Sequence, residues 1–189
     1  MKQYNVGVIG ATGMVGQRFI TLLENHPWFN LVALAASARS AGKTYEEAVG
    51  SRWLMQTPMP ESVKKMVVLD AANVEEVASK VDFVFCAVNM KKDEIKALEE
   101  AYAKAECPVV SNNSAHRFTP DVPMVVPEIN ADHIEIIPAQ RKRLGTKRGC
   151  QVELQPAELC ACPASAAQVW HHRRAGLHLP GHFRRWQDV

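Results

Sequence analysis

Tyr4-Asn5-Val6-Gly7-Val8-Ile9-Gly10-Ala11-Thr12-Gly13-Met14-Val15-Gly16 is the stretch whose reading decides the fold. The apolar run over residues 4–9 closes on glycine. It gives way to residues 14–25, where Val15, Phe19, Leu22 and Leu23 form a helical stripe. A glycine pattern alone is a weak signal, but between a strand and a helix it acquires a mechanism. Gly10 lets the chain turn sharply, Gly13 lets the backbone approach a pyrophosphate, and Gly16 lets helix and strand pack closely. Amides at the helix start then face the anion, helped by the helix dipole. The spacing, G-x-x-G-x-x-G, is a looser variant of the common G-x-G-x-x-G.

Outward from that turn, strand and helix patterns alternate. Residues 29–36 form a second buried run, 44–49 a short helix, and 52–60 a loop broken by Pro58 and Pro60. Strands are expected over 66–69, 83–88, 109–111 and 124–126. Helices are expected over 73–80 and 93–105, the second with Asp93 and Glu94 at the positive end of its dipole. Pro120, Pro123 and the run Pro127-Glu128-Ile129-Asn130 keep the next segment extended. Residues 132–143 read as a polar helix interrupted by Pro138. Strands separated by helices of this length make a parallel sheet with right-handed crossovers. The class is α/β, a doubly wound Rossmann-type parallel sheet.

The end of the second strand bears on which dinucleotide is bound. An NAD-selective site wants Asp or Glu there for the ribose 2′-hydroxyl. This chain has Ala35-Ala36-Ser37-Ala38-Arg39-Ser40-Ala41-Gly42-Lys43. A neutral end followed by Ser37, Arg39 and Ser40 suits a 2′-phosphate, hence NADP, because that group needs a cation and hydroxyl donors. The plainer alternative is a solvated basic loop. A third polar element, Ser111-Asn112-Asn113-Ser114-Ala115-His116-Arg117, follows the 109–111 strand at the sheet edge where open α/β folds bind ligands. Arg117 offers a fork for a carboxylate or phosphate. His116 reads as an ordinary surface histidine.

Composition narrows the function classes. The 189 residues carry 22 Lys+Arg against 20 Asp+Glu, a net charge of +2, and 47% are hydrophobic. That balance gives no reason to expect a nucleic-acid or membrane-binding surface. The longest clean apolar stretch, residues 31–36, is too short to span a bilayer, and the N-terminus shows no signal-like run. Five scattered cysteines read as reduced thiols. The expected location is cytoplasmic.

The chain changes character near Gly149. Residues 150–189 hold three of the five cysteines (Cys150, Cys160, Cys162) and four of the seven histidines (His171, His172, His178, His182). They contain no Lys, Ile, Thr, Asn, Tyr or Met. The division expected is a dinucleotide-binding domain over 1–149 and an irregular tail over 150–189. Cys160-Ala161-Cys162 with the histidines matches no trusted zinc spacing, so no metal is expected. Arg173, Arg174, Arg184 and Arg185 among Trp170, Phe183 and Trp186 make only a weak nucleic-acid patch.

The glycine turn, the 37–43 loop and the 111–117 segment, followed by Asp121-Val122-Pro123 and Pro127-Glu128-Ile129-Asn130, together resemble aspartate-semialdehyde dehydrogenase of the archaeal and fungal type. The resemblance runs from about Lys2 to Gly149. It implies NADPH-dependent reduction of β-aspartyl phosphate to aspartate semialdehyde and phosphate, toward lysine, threonine and methionine. By that resemblance Gly10, Thr12, Gly13, Met14 and Val15 hold the pyrophosphate, and Ser37, Arg39 and Ser40 hold the 2′-phosphate. Residues 85–88 pass near the cofactor, and Arg117 holds the substrate phosphate with Asn112 nearby. The family forms dimers or tetramers through a second domain.

One family hallmark is missing. Shortly after the position of Gly149, members of this family carry an Asn-Cys-Ser motif whose thiolate attacks the acyl phosphate, with a histidine base in the second domain. This chain has no Asn-Cys-Ser, and Cys150 comes too early, between Gly149 and Gln151. Gln151-Val152-Glu153-Leu154-Gln155-Pro156 can be encoded CAG GTC GAA CTG CAG CCT, which from its second base reads Arg-Ser-Asn-Cys-Ser. Leu177-His178-Leu179-Pro180-Gly181-His182-Phe183 likewise permits Ser-Thr-Tyr-Gln-Ala-Ile-Ser, another hallmark. The tail is therefore expected to be out of frame, or disordered, in place of the catalytic and dimerisation domain. No catalytic residue is assigned, and no turnover is expected. The alternative is a non-catalytic, truncated NADP-binding module.

Overall fold

The computed structural model describes residues 2–154. Seven strands form one sheet: β1 (Tyr4–Ile9), β2 (Phe29–Ala36), β3 (Val68–Asp70), β4 (Phe83–Cys86), β5 (Val109–Ser111), β6 (Met124–Val125) and β7 (Gln151–Leu154). Their order is β3-β2-β1-β4-β5-β7-β6, and each neighbouring pair is parallel. The order reverses between β1 and β4, which makes the carboxyl end of β1 the switch point of the sheet.

Both faces are covered, as a parallel sheet requires. Along β1 and β2 successive side chains alternate between faces. Val6, Val8, Leu34 and Ala36 join one core cluster, and Ile9 and Ala35 join the other. The first cluster is completed by α1 (Met14–Leu23), α2 (Tyr45–Val49) and α3 (Glu61–Lys64), through Ile20, Leu23, Tyr45, Ala48, Val49 and Val63. The second is completed by α4 (Val74–Ala78) and α5 (Lys92–Lys104), through Val77 and Tyr102. Phe83 and Phe85 pack toward the first face, where Phe85 stacks on Phe19 at 4.9 Å. The α/β, doubly wound reading thus holds.

Several local expectations change. Pro127–Asn130 is a helical turn, α6, rather than extended chain. Proline at a helix's first position loses no hydrogen bond that the helix could have made. The segment expected as one interrupted helix is a 3-10 turn, Ala131–Ile136, followed by α7 (Ile137–Leu144), whose first turn contains Pro138. The sheet also does not end at Gly149. β7 lies beyond it, between β5 and β6, and carries the sheet to Leu154.

Candidate dinucleotide site

The three glycines of the turn do different things. Gly10 has φ +83°, and a Cβ there would lie 2.4 Å from the Ala87 carbonyl oxygen and 2.9 Å from Val88 N. The turn therefore presses on the chain leaving β4. A Cβ on Gly16 would lie 2.3 Å from the Gly10 oxygen and 2.8 Å from Ala11 Cα. At Gly13, φ is −81° and the nearest atom would be the Gly10 oxygen at 3.4 Å, an ordinary contact. The fold itself demands glycine at the first and third positions but not at the second.

Two buried side chains hold the turn from below. The Tyr45 hydroxyl donates to the Ala11 carbonyl at 2.7 Å, and burial pushes its pKa up, so it stays a donor. Gln17 Nε2 donates to the Thr12 carbonyl at 3.2 Å and to the Arg52 carbonyl at 2.8 Å, while Gln17 Oε1 accepts from Leu54 N at 2.8 Å. The Gly10 and Ala11 amides both donate to the Ala35 carbonyl. With these groups turned inward, α1 starts at Met14 behind an extended Gly13 that has no side-chain cap. Its first-turn amides have no acceptors within the helix. Sequence reading passed over Gln17 and Tyr45, because one polar residue in a helical stripe carries no mark of what it holds.

A cavity of about 260 Å³ adjoins the turn, lined by Thr12, Ser37, Arg39, Ser40, Lys43 and Arg52. The structure thus brings the three expected 2′-phosphate residues together beside Thr12. The loop is pinned by Ser40 N to the Ser37 carbonyl at 2.8 Å and by Gly42 N to the Val68 carbonyl at 2.8 Å. Among the described residues no carboxylate lies within ion-pair distance of Arg39, Lys43 or Arg52. Nearby Glu47 is occupied with Thr44 in a capping box, which lowers its pKa. A second cavity, about 290 Å³, lies at the opposite end of β1 and β2 among Gln3, Glu24, His26 and Asn30, and adjoins none of these residues.

Asn112 and Arg117 sit at the carboxyl end of β5, over a buried polar cluster. Asn112 N donates to the Cys86 carbonyl at 2.9 Å. Glu99 Oε1 accepts from Ser111 Oγ at 2.5 Å and from Asn113 Nδ2 at 2.9 Å. His116 is 1% exposed, not the surface histidine expected. Its Nδ1 meets Thr119 Oγ1 at 3.1 Å, its Nε2 meets Gln151 Nε2 at 3.2 Å, and its backbone amide donates to Glu153 Oε1. Burial holds the imidazole below its usual pKa; a neutral ring accepts from Gln151 on Nε2 and donates from Nδ1. Glu153 Oε2 and Arg117 Nε have no hydrogen-bond partner and stand 4.0 Å apart. Burial pushes the Glu153 carboxyl up to about 7. The guanidinium expected to hold a substrate phosphate therefore faces a carboxylate of this chain.

The described cysteines are poor nucleophiles where they lie. Cys86, Cys107 and Cys150 are free and buried, and burial raises each thiol, Cys107 to about 12. Cys160, Cys162 and the tail histidines lie outside the described residues. Among the described residues no group of three His, Cys, Asp or Glu is placed to hold a metal, and no helix is long and apolar enough to cross a membrane.

The sheet order, the glycine turn at its switch point and the cationic cavity beside it define a dinucleotide-binding domain of the Rossmann class. The chain belongs to the semialdehyde dehydrogenase family: the NAD binding domain of that family matches residues 5–137. It is 43% identical to an aspartate-semialdehyde dehydrogenase of Archaeoglobus fulgidus over 145 residues, and 46% identical to that of Aspergillus fumigatus over 143. Each alignment covers 76% of this chain, but only 40% and 38% of the relatives. The matched segment thus spans about two fifths of the length of these curated relatives. Among solved structures, the aspartate-semialdehyde dehydrogenase with NADP from Candida albicans superposes with a TM-score of 0.76 at 33% identity, over 90% of this chain and 48% of that one.

Proposed function

We propose that the chain is the NADPH-binding part of an aspartate-semialdehyde dehydrogenase, and that as written it binds the cofactor without turning over substrate. The observation that carries the cofactor reading is the pairing of the glycine turn with a cavity that gathers Arg39, Lys43 and Arg52, none of which has a carboxylate within ion-pair distance among the described residues. The amides at the start of α1 would take the pyrophosphate, with Gly10, Thr12, Met14 and Val15 around it. Gly13 supports this reading as well: nothing within the fold excludes a side chain there, so beyond glycine's ordinary favour at a helix N-cap, the close approach of a ligand gives a reason for it. Ser37, Arg39 and Ser40 would hold the 2′-phosphate. The bound nicotinamide supplies the hydride for reducing an acyl group. The relatives' names supply aspartate semialdehyde; the resemblance read in the sequence extends this to β-aspartyl phosphate as the group reduced, with phosphate released, toward lysine, threonine and methionine, and would put Arg117 and Asn112 at the substrate phosphate.

Two observations support absent turnover. Each described cysteine is buried with a raised thiol pKa, and β7 carries Gln151 and Glu153 into an interior strand of a parallel sheet. Strands in that position are covered on both faces and read as apolar runs. A strand so poorly matched to its place supports the view that the frame changes near residue 150, and that the nucleophile and the oligomerising domain belong to another frame.

Three experiments test this. Titrating NADPH into the chain and into Arg39→Ala should show a loss of about tenfold or more, the loss of a charge-assisted hydrogen bond. Unchanged affinity removes Arg39 from the site. An assay with aspartate semialdehyde, phosphate and NADP should show no rate, and a cysteine-dependent rate ends the inactive reading. Resequencing codons 149–155 then separates the two origins. A gained or lost base restores a full dehydrogenase, and a confirmed frame leaves a cofactor-binding module.

A further inference from the structure

Arg52 is the cation of the cavity that no reading of the 37–43 loop explains. It ends the 3-10 turn Gly50–Arg52 behind α2, yet it lines the same cavity as Arg39. Its Nη2 donates to the Ala48 carbonyl at 2.5 Å, and Ala48 is itself a wall of the cavity, so the guanidinium stands at that wall. Its backbone is fixed as well. Fully buried Gln17 grips the Arg52 carbonyl at 2.8 Å and the amide of Leu54 at 2.8 Å, and the same side chain reaches Thr12 in the glycine turn. One side chain therefore sets the spacing between the pyrophosphate turn and Arg52.

We propose that Arg52 is a cofactor-binding residue that sets the preference for a 2′-phosphate over a 2′-hydroxyl, with Gln17 as its positioning residue. The inference rests on the reading that this chain binds NADP(H). A phosphate monoester near neutral pH carries roughly −1.5 to −2 charges, more than one guanidinium balances. Arg39 supplies one cation from the loop after β2, and Arg52 supplies another from a separate element. The bond from Nη2 to Ala48 fixes the guanidinium plane and leaves its other N–H groups for phosphate oxygens. A 2′-hydroxyl brings no charge, so NADH gains nothing from Arg52.

The test is titration of NADPH and of NADH into the full chain and into Arg52→Gln and Arg52→Lys. Glutamine keeps a donor for the Ala48 carbonyl while removing the charge. Arg52→Gln should lose NADPH affinity by about tenfold or more, keep its NADH affinity and keep its melting temperature. Arg52→Lys should recover part of the loss, with a steeper dependence on salt than Arg52 itself because its charge is not fixed by a fork. NADPH affinity of Arg52→Gln within twofold of the parent, or an equal loss for both dinucleotides, overturns the proposal. A folded parent that binds neither dinucleotide overturns the cofactor reading beneath it, a result separable from any effect of Arg52.

Discussion

Gln17 and Glu153 are both fully buried polar side chains, one beneath the glycine turn and the other in β7, and they differ in how their atoms are satisfied. Each polar atom of the Gln17 amide has a backbone partner, and its bonds tie α1 to two loops that approach the cationic cavity. Glu153 gives one oxygen to the His116 amide and leaves the other without a hydrogen bond, with Arg117 4.0 Å away and Glu99 in the same cluster. A buried polar group costs free energy unless it is paired, and an ionised one costs more. The first region is therefore built around its polar groups. The second tolerates them.

The largest effect should come from closing the tight approach in the first region. Gly16→Ala puts a methyl 2.3 Å from a backbone oxygen, and should cost about 3 kcal/mol by denaturant unfolding. A stable variant would show that the turn can relax, which would erase the contrast. Gln17→Leu comes next. It strands two carbonyls and one amide, and should cost about 2–3 kcal/mol, with NADPH binding lost alongside.

Glu153→Gln should act in the opposite direction. Its carboxyl binds a proton more tightly when folded, near pH 7, than at its ordinary value of 4.5. The stability this provides is full below about pH 4.5 and drains away as pH rises through about 7. At pH 8 the amide variant should be the more stable by roughly 2 kcal/mol, less than the full linkage value because Arg117 and solvent screen the charge. Below about pH 4.5 the two should converge. His116, held below its ordinary pKa, erodes stability as acid is added, so the difference between variant and parent, rather than either curve, isolates Glu153. A variant less stable at pH 8 would mean that the carboxylate is well satisfied after all.

Gly13→Ala should have the smallest effect on the fold, no more than about 1 kcal/mol at a helix N-cap. Its effect on NADPH should be large, about tenfold or more. Unchanged affinity would mean that the ligand does not approach there.

Much of the first region was legible because the signals were local. Strands 4–9, 29–36 and 109–111 and the glycine turn rest on short apolar runs and punctuation that neighbours do not override. A missing acid and a nearby arginine pointed to Ser37, Arg39 and Ser40 as a group, and these three do line one cavity; their role at a 2′-phosphate belongs to the proposal above. Lys43 and Arg52 were not assigned, because a loop arginine looks the same whether it faces solvent or a cavity. β7 was illegible for a better reason: Gln151 and Glu153 do not read as an interior strand, and only the slot between β5 and β6 makes them one. Pro127 was misjudged because proline forbids the middle of a helix but favours its start. His116 appeared ordinary because its partners lie far off in sequence, on α5 and β7.

The insertion of β7 between β5 and β6 also fixes an order of events. Among the described residues β6 pairs with β7 alone, although β7 follows it in the chain by more than twenty residues. As the chain leaves the ribosome, β1 to β5 can assemble by adding each strand to an existing edge. β6 must wait as an unpaired segment until residue 154 has emerged, because its only seat in the sheet is the far side of a strand not yet made. The edge of β5 stays open over that interval, the kind of exposed, unpaired edge through which growing chains associate. The dinucleotide end of the molecule is thus finished early, and the sheet is closed by its least suitable strand.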